Sequence, residues 1–190
     1  GTAGEVKDSG PNALDGTAVG NATTIGSGHV CRAGYFDGGG DYVQVPSAEE
    51  LKITGPLTIS LWVKVFQNAS DWVRLAGKGD STNRNYGLWL ATNGTILFQI
   101  YSDGGNGNAQ TTVTVNDGKW HHVVGVYDQS TMKVYIDNVE RRSINYSQVP
   151  RTSDDPFTIG YAGFHTYLNG CIDEVMLFDV ALPATSSTDT

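Results

Sequence analysis

Four groups of residues in this chain have side chains that could do chemistry: two adjacent histidines, scattered carboxylates, a cysteine pair, and arginines set among aromatic rings. His121-His122 lies in GKWHHVVGVYDQSTMKVYIDN, residues 118–138. Paired imidazoles could act as a base or bind a metal. However, Val124 and Val126, then Met132, Val134 and Ile136, alternate with other residues around the turn at 128–131, which predicts a β-hairpin. Neighbours on a strand point to opposite faces, so the two histidines cannot share a site and are expected to be scaffold. Asp71, Asp80 and Asp103 fall in expected loops. A retaining glycosidase would need two carboxylates ~5 Å apart, an inverting one ~6.5–9.5 Å. No G-x-S-x-G elbow occurs either. DSGPNALDG, residues 8–16, puts two acids and an asparagine in a tight loop. It suits plain Asx turns, or calcium, which takes roughly six to eight oxygens. Its spacing is not that of an EF-hand. Cys31 and Cys171 form no C-x-x-C motif, which argues against a zinc cluster; two free thiols or one long-range disulfide both remain open. Finally, Tyr161, Phe164, His165 and Tyr167 crowd four rings into one glycine-containing loop.

The elements that must position these groups are strands. The chain has 190 residues, 24 of them glycine, and no window keeps helical spacing beyond a turn at 48–51. Alternation predicts strands at 32–36, 41–45, 57–66, 71–76, 86–91, 95–102, 110–115, the two arms of the hairpin, a polar strand after 138, 156–159 and 170–178. Thr92-Asn93-Gly94 is a hairpin turn. Residues 1–30 offer little to bury, and 181–190 have linker composition. The expectation is therefore an all-β, two-sheet antiparallel sandwich over 1–180 with a tail at 181–190.

A formal charge of −8 leaves no basic footprint for nucleic acid. No apolar run approaches the ~20 residues of a membrane span, so no membrane insertion is expected. The polar start at Gly1 does not read as a signal peptide, and a mature secreted domain or a module of a longer chain fits.

The order FDGGGDYVQVP (36–46), LTISLWVK (57–64), GKWHHVVGVYD (118–128), KVYIDN (133–138), TIG (158–160) and NGCIDEVMLFDVAL (169–182) resembles the laminin-G-like, concanavalin-A-like jelly rolls of bacterial secreted proteins. That superfamily includes lectins, carbohydrate-binding modules, adhesin domains and some hydrolases and lyases. The resemblance implies that the first and last strands lie side by side, bringing Cys31 to Cys171 as a disulfide. It also implies a structural calcium site from Asp8, Asn12 and Asp15 with Asp173. A carboxylate in an apolar strand, as Asp173 is, needs a cation or good donors. The E-x-D-x-x-E-like strand of the superfamily's hydrolases and the Y-x-K-x-G-x-Y-x-Q-like strand of its lyases do not occur here. The Trp-His-His segment is part of the family's fold, and Trp62 and Trp120 are expected in the core.

By the family pattern Leu88, Leu90, Ile96, Phe98, Ile100, Val73 and Leu75 face inward. Trp72, Arg74, Trp89, Gln99 and Tyr101 then share the opposite face, with Arg84 on a loop at its rim. Such a face suits stacking on sugar rings, and Arg74 and Arg84 favour an acidic or sulfated glycan, against an acidic background. Phe164, His165 and Tyr167 form a second candidate site. The expected function is a non-catalytic carbohydrate-binding module, monomeric, extracellular and tethered to a polysaccharide-degrading enzyme. An adhesion or protein-interaction domain of a bacterial surface protein, or a small hydrolase or lyase, are the alternatives.

Overall fold

The computed structural model describes residues 4–183. Residues 184–190 of the expected tail lie outside the described residues. The described chain forms fifteen strands and one short 3₁₀ turn, Glu49–Leu51. In order the strands are β1 (Glu5–Val6), β2 (Gly16–Val19), β3 (Thr23–Ile25), β4 (Ala33–Asp37), β5 (Tyr42–Val45), β6 (Leu57–Val65), β7 (Val73–Lys78), β8 (Tyr86–Leu90), β9 (Thr95–Ile100), β10 (Gly107–Thr114), β11 (Trp120–Tyr127), β12 (Thr131–Ile136), β13 (Val139–Asn145), β14 (Phe157–Ile159) and β15 (Asn169–Phe178).

They pair into an eight-stranded sheet, β1-β2-β5-β14-β7-β8-β9-β10, and a seven-stranded sheet, β13-β12-β11-β6-β15-β4-β3. Every pairing is antiparallel. The all-β sandwich expected from the alternation is what forms. Residues 5–25, which carry few apolar side chains, nonetheless contribute β1, β2 and β3. These are short strands near the sheet edges, where backbone pairing alone is enough.

The core lies between the sheets. Leu57, Ile59, Leu61, Val63 and Val65 of β6 pack with Val73, Leu75, Leu88, Leu90, Ile96, Phe98 and Ile100 from the other sheet. Each fully buried side chain of this kind contributes roughly 1.5–3 kcal/mol. Gly125 in β11 has a steric role, because a Cβ there would come within 2.8 Å of the Phe98 ring. The missing side chain lets a ring from the opposite sheet seat against the β11 backbone.

The hairpin β11–β12 is as expected, and the histidines point apart. His122 meets Ser60 Oγ at 2.8 Å on the outer face of the seven-stranded sheet. His121 lies between two carboxylates, with Nδ1 2.8 Å from Asp137 and Nε2 2.9 Å from Asp117. Trp62 and Trp120 are not core residues. They are half-buried on that same outer face, and His29 stacks flat on Trp62, centroids 3.4 Å apart.

Cys31 and Cys171 are free thiols, so the expected disulfide is corrected. The register gives the reason. β15 does run beside an early strand, but that strand is β4, and the residue opposite Cys171 is Tyr35. Cys31 sits ahead of β4, exposed, with a left-handed φ of 60°.

Candidate functional site

The outer face of the eight-stranded sheet gathers Arg74, Trp89 and their neighbours. Arg74 on β7 is the cross-strand partner of Trp89 on β8, which in turn faces Leu97 on β9. Inward residues alternate with them, as the strand periodicity predicts. One row further along, Gly77 of β7 faces Gly87 of β8, flanked by Thr158 of β14 and Gln99 of β9. The two glycines leave the backbone bare there. A Cβ on Gly77 would lie 3.4 Å from Arg74 Cδ. The arginine lies along this bare strip, and its Nη1 donates to Gly79 O at 2.6 Å and to Thr158 Oγ1 at 3.2 Å. These supports were not singled out from the sequence. Glycines in the interior of two strands were the available signal, since they mark close approach.

Over this row folds the loop at 161–167. Ala162 and Phe164 pack with Trp89, Leu97 and Trp72 in one apolar cluster. His165 meets Trp89 edge-on, centroids 6.0 Å apart, and its Nδ1 lies 2.7 Å from Asp71 Oδ2. Thr166 N donates to Trp72 O at 3.2 Å, which ties the loop to the start of β7. The two regions expected to be separate sites, the strand face and the aromatic loop, therefore form one side-chain cluster. Trp89 is only 3% exposed and is not the open platform that strand alternation suggested. Trp72, Phe164, Tyr101, Gln99 and Arg84 keep part of their surface in solvent. Tyr167 does not join them; it stacks on Tyr161, centroids 3.9 Å apart, which in turn contacts Tyr42. Gln99 lies at the margin, donating to Asn108 Oδ1 at 2.7 Å.

Electrostatically the site is two guanidiniums in an aromatic box. Arg74 lies 4.7 Å from the Trp89 ring centre and 5.9 Å from that of Phe164. Arg84, from the loop before β8, lies 4.6 Å from Phe164, 5.3 Å from Tyr101 and 5.6 Å from Trp89. It also donates from Nη1 to Tyr101 OH at 2.9 Å. Stacking on ring faces suits the flat guanidinium and is worth about 2 kcal/mol when desolvated. Arg74 is 1% exposed. Burial, then the neighbouring charge of Arg84, push its pKa down. Asp155 acts on Arg74 only through space, and three other carboxylates are engaged elsewhere. Asp80 accepts from the amides of Thr82 and Asn83, Asp71 from His165, and Asp103 pairs with Arg151.

The residues expected to hold calcium do not converge as arranged. Among the described residues no three His, Cys, Asp or Glu side chains gather as a metal-ligand group. Asp8 accepts from the amides of Gly10 and Leu14, and Asp15 from the Asp8 amide and the Lys7 ammonium. Asn12 is exposed in the same loop. Asp173 lies on the other sheet, where its oxygens accept from Val30 N at 2.9 Å and Glu174 N at 3.0 Å. The 8–16 loop thus closes as Asx turns, and backbone donors satisfy the buried Asp173. A depression of about 710 Å³ beside Asn83, Asp103, Gln148 and Arg151 has no aromatic ring in its wall. The arginine and aromatic cluster, by contrast, sets partly exposed rings beside polar groups.

Comparison with known proteins adds the following. A family model described as the concanavalin A-like lectin/glucanases superfamily matches residues 37–186. No match was found among curated proteins. Among solved structures, domain 4 of AbnA, a GH43 extracellular arabinanase from Geobacillus stearothermophilus in complex with arabinotriose, is 22% identical. The match covers 95% of this chain and 89% of that one, with a TM-score of 0.78. The binding domain of Paraclostridial Mosquitocidal Protein 1 is 14% identical over 94% of this chain and 47% of that one, TM-score 0.77. The binding domain of Botulinum Neurotoxin DC in complex with SialylT is 13% identical over 94% and 46%, TM-score 0.72. The chain spans about half the length of the two toxin domains. At these identities the likeness is one of fold.

Proposed function

Since the chain belongs to the concanavalin A-like lectin/glucanases superfamily, we propose that it is a non-catalytic carbohydrate-binding domain of a secreted bacterial polysaccharide-degrading enzyme. The observation that carries this reading is the cluster on the eight-stranded sheet. Half-exposed Trp72, Phe164 and Tyr101 stand around polar groups that can fix hydroxyls, with Trp89 buried beneath as support. Sugars present apolar C–H faces to such rings, and flat side chains with few rotatable bonds lose little entropy in holding them.

Support comes also from the solved relatives, one holding arabinotriose and one SialylT in a domain of the same fold. Asp71, Asp80 and Asp103 each have a structural partner, which supports a binding role over an acid–base one. No helix among the described residues is long and apolar enough to cross a membrane. The domain would work outside the cell as a monomer and hold its parent enzyme on the glycan.

Affinity electrophoresis against a polysaccharide panel tests this. Retention on at least one polymer is expected, with Kd roughly micromolar to millimolar for so shallow a surface. Trp72→Ala and Phe164→Ala should each weaken it while the sandwich stays folded. If no polymer retards the chain, or if both variants bind like the wild type, the reading fails.

A further inference from the structure

Arg74 and Arg84 are stacked in one aromatic box, and neither is paired with a carboxylate. Arg74 Nε and Arg84 Nε are both buried without a hydrogen-bond partner. Several surface cations are paired with carboxylates, Arg151 with Asp103, Lys7 with Glu5 and Asp15, and Lys52 with Glu49 and Asp154, whereas the other fully buried cation, Lys78, is held by Ser47 Oγ and Asp155 O. In a protein of net charge −8, a carboxylate at this site would be easy to supply. Instead two like charges share the same Trp89 and Phe164 rings. The charge of Arg84 acts against that of buried Arg74, which Asp80 and Asp155 offset only through space, so an anion in contact with the pair would stabilise it.

The deeper of the two, Arg74, is fixed by Gly79 O and Thr158 Oγ1 through Nη1. Arg84 is half-exposed and bonded to Tyr101 OH through Nη1, so it presents the pair to solvent. A guanidinium fork matches the oxygens of a carboxylate or a sulfate ester, and the aromatic walls hold it in place before the ligand arrives.

We propose that this pair receives the oxyanion of an acidic glycan, a carboxylate or a sulfate ester on the sugar, while the ring rests against Phe164 and Tyr101. The proposal rests on the carbohydrate-binding reading above and gives its substrate class. Arg84 is the contact residue, and Arg74 adds charge from beneath and positions Arg84 through their shared rings.

The test uses matched polymers that differ only in charge. Polygalacturonate is compared with its methyl ester, and dextran sulfate with dextran, by affinity electrophoresis of the whole chain. Retention on at least one charged member, at least about tenfold stronger than on its neutral twin, is expected, and it should weaken as sodium chloride rises. Which pair shows the difference tells carboxylate from sulfate. Arg84→Gln should lose about tenfold on the charged polymer, and Arg84→Lys, which keeps the charge without the fork, should lose less.

Equal retention on charged and neutral twins overturns the proposal and leaves carbohydrate binding standing, as does an Arg84→Gln variant that binds like the wild type. A chain retained by no polymer, charged or neutral, overturns both. If Arg84→Gln melts well below the wild type, the twin polymers with the wild-type chain decide alone.

Discussion

Asp71 Oδ2 lies 2.7 Å from His165 Nδ1, a contact that bridges 94 residues of sequence. With the Thr166–Trp72 backbone bond, it ties the aromatic loop that covers Trp89 to the start of β7. Hydrogen bonding to His165, then to the Trp72 amide, holds the Asp71 carboxyl below its usual range. A carboxylate of this kind contributes above its unfolded pKa of ~3.9, and the contribution is lost as pH falls through the lowered folded value. Tryptophan emission should therefore hold steady from neutral pH to about pH 4 and shift red below it. Asp71→Asn or His165→Ala should give the red shift at neutral pH, with faster acrylamide quenching. Unchanged emission in both variants would mean the loop is held by its apolar contacts alone.

His121 sets a second pH dependence, of opposite sign. Burial by itself would lower its pKa, but hydrogen bonds to Asp137 and Asp117, with their charge, raise it above the ordinary imidazole value. Asp117 is pulled to about 2 by the same contact, helped by the Lys119 amide. The imidazolium therefore stabilises the folded state fully below its unfolded pKa of ~6.5, and this is lost as pH rises through the raised folded value. Melting temperature should fall between about pH 6 and pH 8, and His121→Asn should flatten the profile. A profile equally steep in the variant would place the cause elsewhere.

The thiols give a direct check on the chain trace. Cys31 is exposed and Cys171 buried, and burial raises the Cys171 thiol pKa. A thiol reagent should titrate Cys31 alone in the native protein and both residues after denaturation. Reductant should leave the melting temperature unchanged. Absence of free thiol in the denatured chain would restore the disulfide. Cys31→Gly should be neutral to stabilising by up to about 1 kcal/mol, since glycine adopts a left-handed φ without strain.

Arg74 separates stability from binding. Removing its bulk in Arg74→Ala leaves a void beside Trp89 and should cost about 3 kcal/mol in urea unfolding. Arg74→Met fills much of the void and removes a buried cation that has no carboxylate in contact, only the through-space charge of Asp80 and Asp155. It should be neutral or stabilising by up to about 2 kcal/mol while weakening retention on the charged polymer. A large loss of stability in Arg74→Met would mean that the bonds to Gly79 and Thr158 outweigh the cost of the charge.

Much of the fold and part of the site are legible in the amino-acid order. Alternation in β6, β8 and β9 separates Ile59, Leu88 and Phe98 from Trp89 and Gln99 correctly, because facing along a strand is set every second residue. The same local rule separates His121 from His122. The rule does not reach β1 to β3, whose short polar stretches gain order from the strands they pair with. The core expectation for Trp62 and Trp120 comes from the family resemblance and not from this rule, which sets Trp62 on the face opposite Ile59, Leu61 and Val63, where the structure has it.

By itself, then, the amino-acid order determined the sandwich, the core face of each long strand, and the gathering of Arg74 and Trp89 on the other face. Tertiary structure alone decided what covers that face. Phe164 and His165 arrive from some 75 residues beyond Trp89, and their docking depends on Asp71, on the Trp72 carbonyl and on the register of β14 beside β7. Register also set Tyr35 opposite Cys171 in place of Cys31. Side-chain alternation is a local property of extended backbone, whereas register and loop docking are settled by contacts distant in sequence, which no periodicity records.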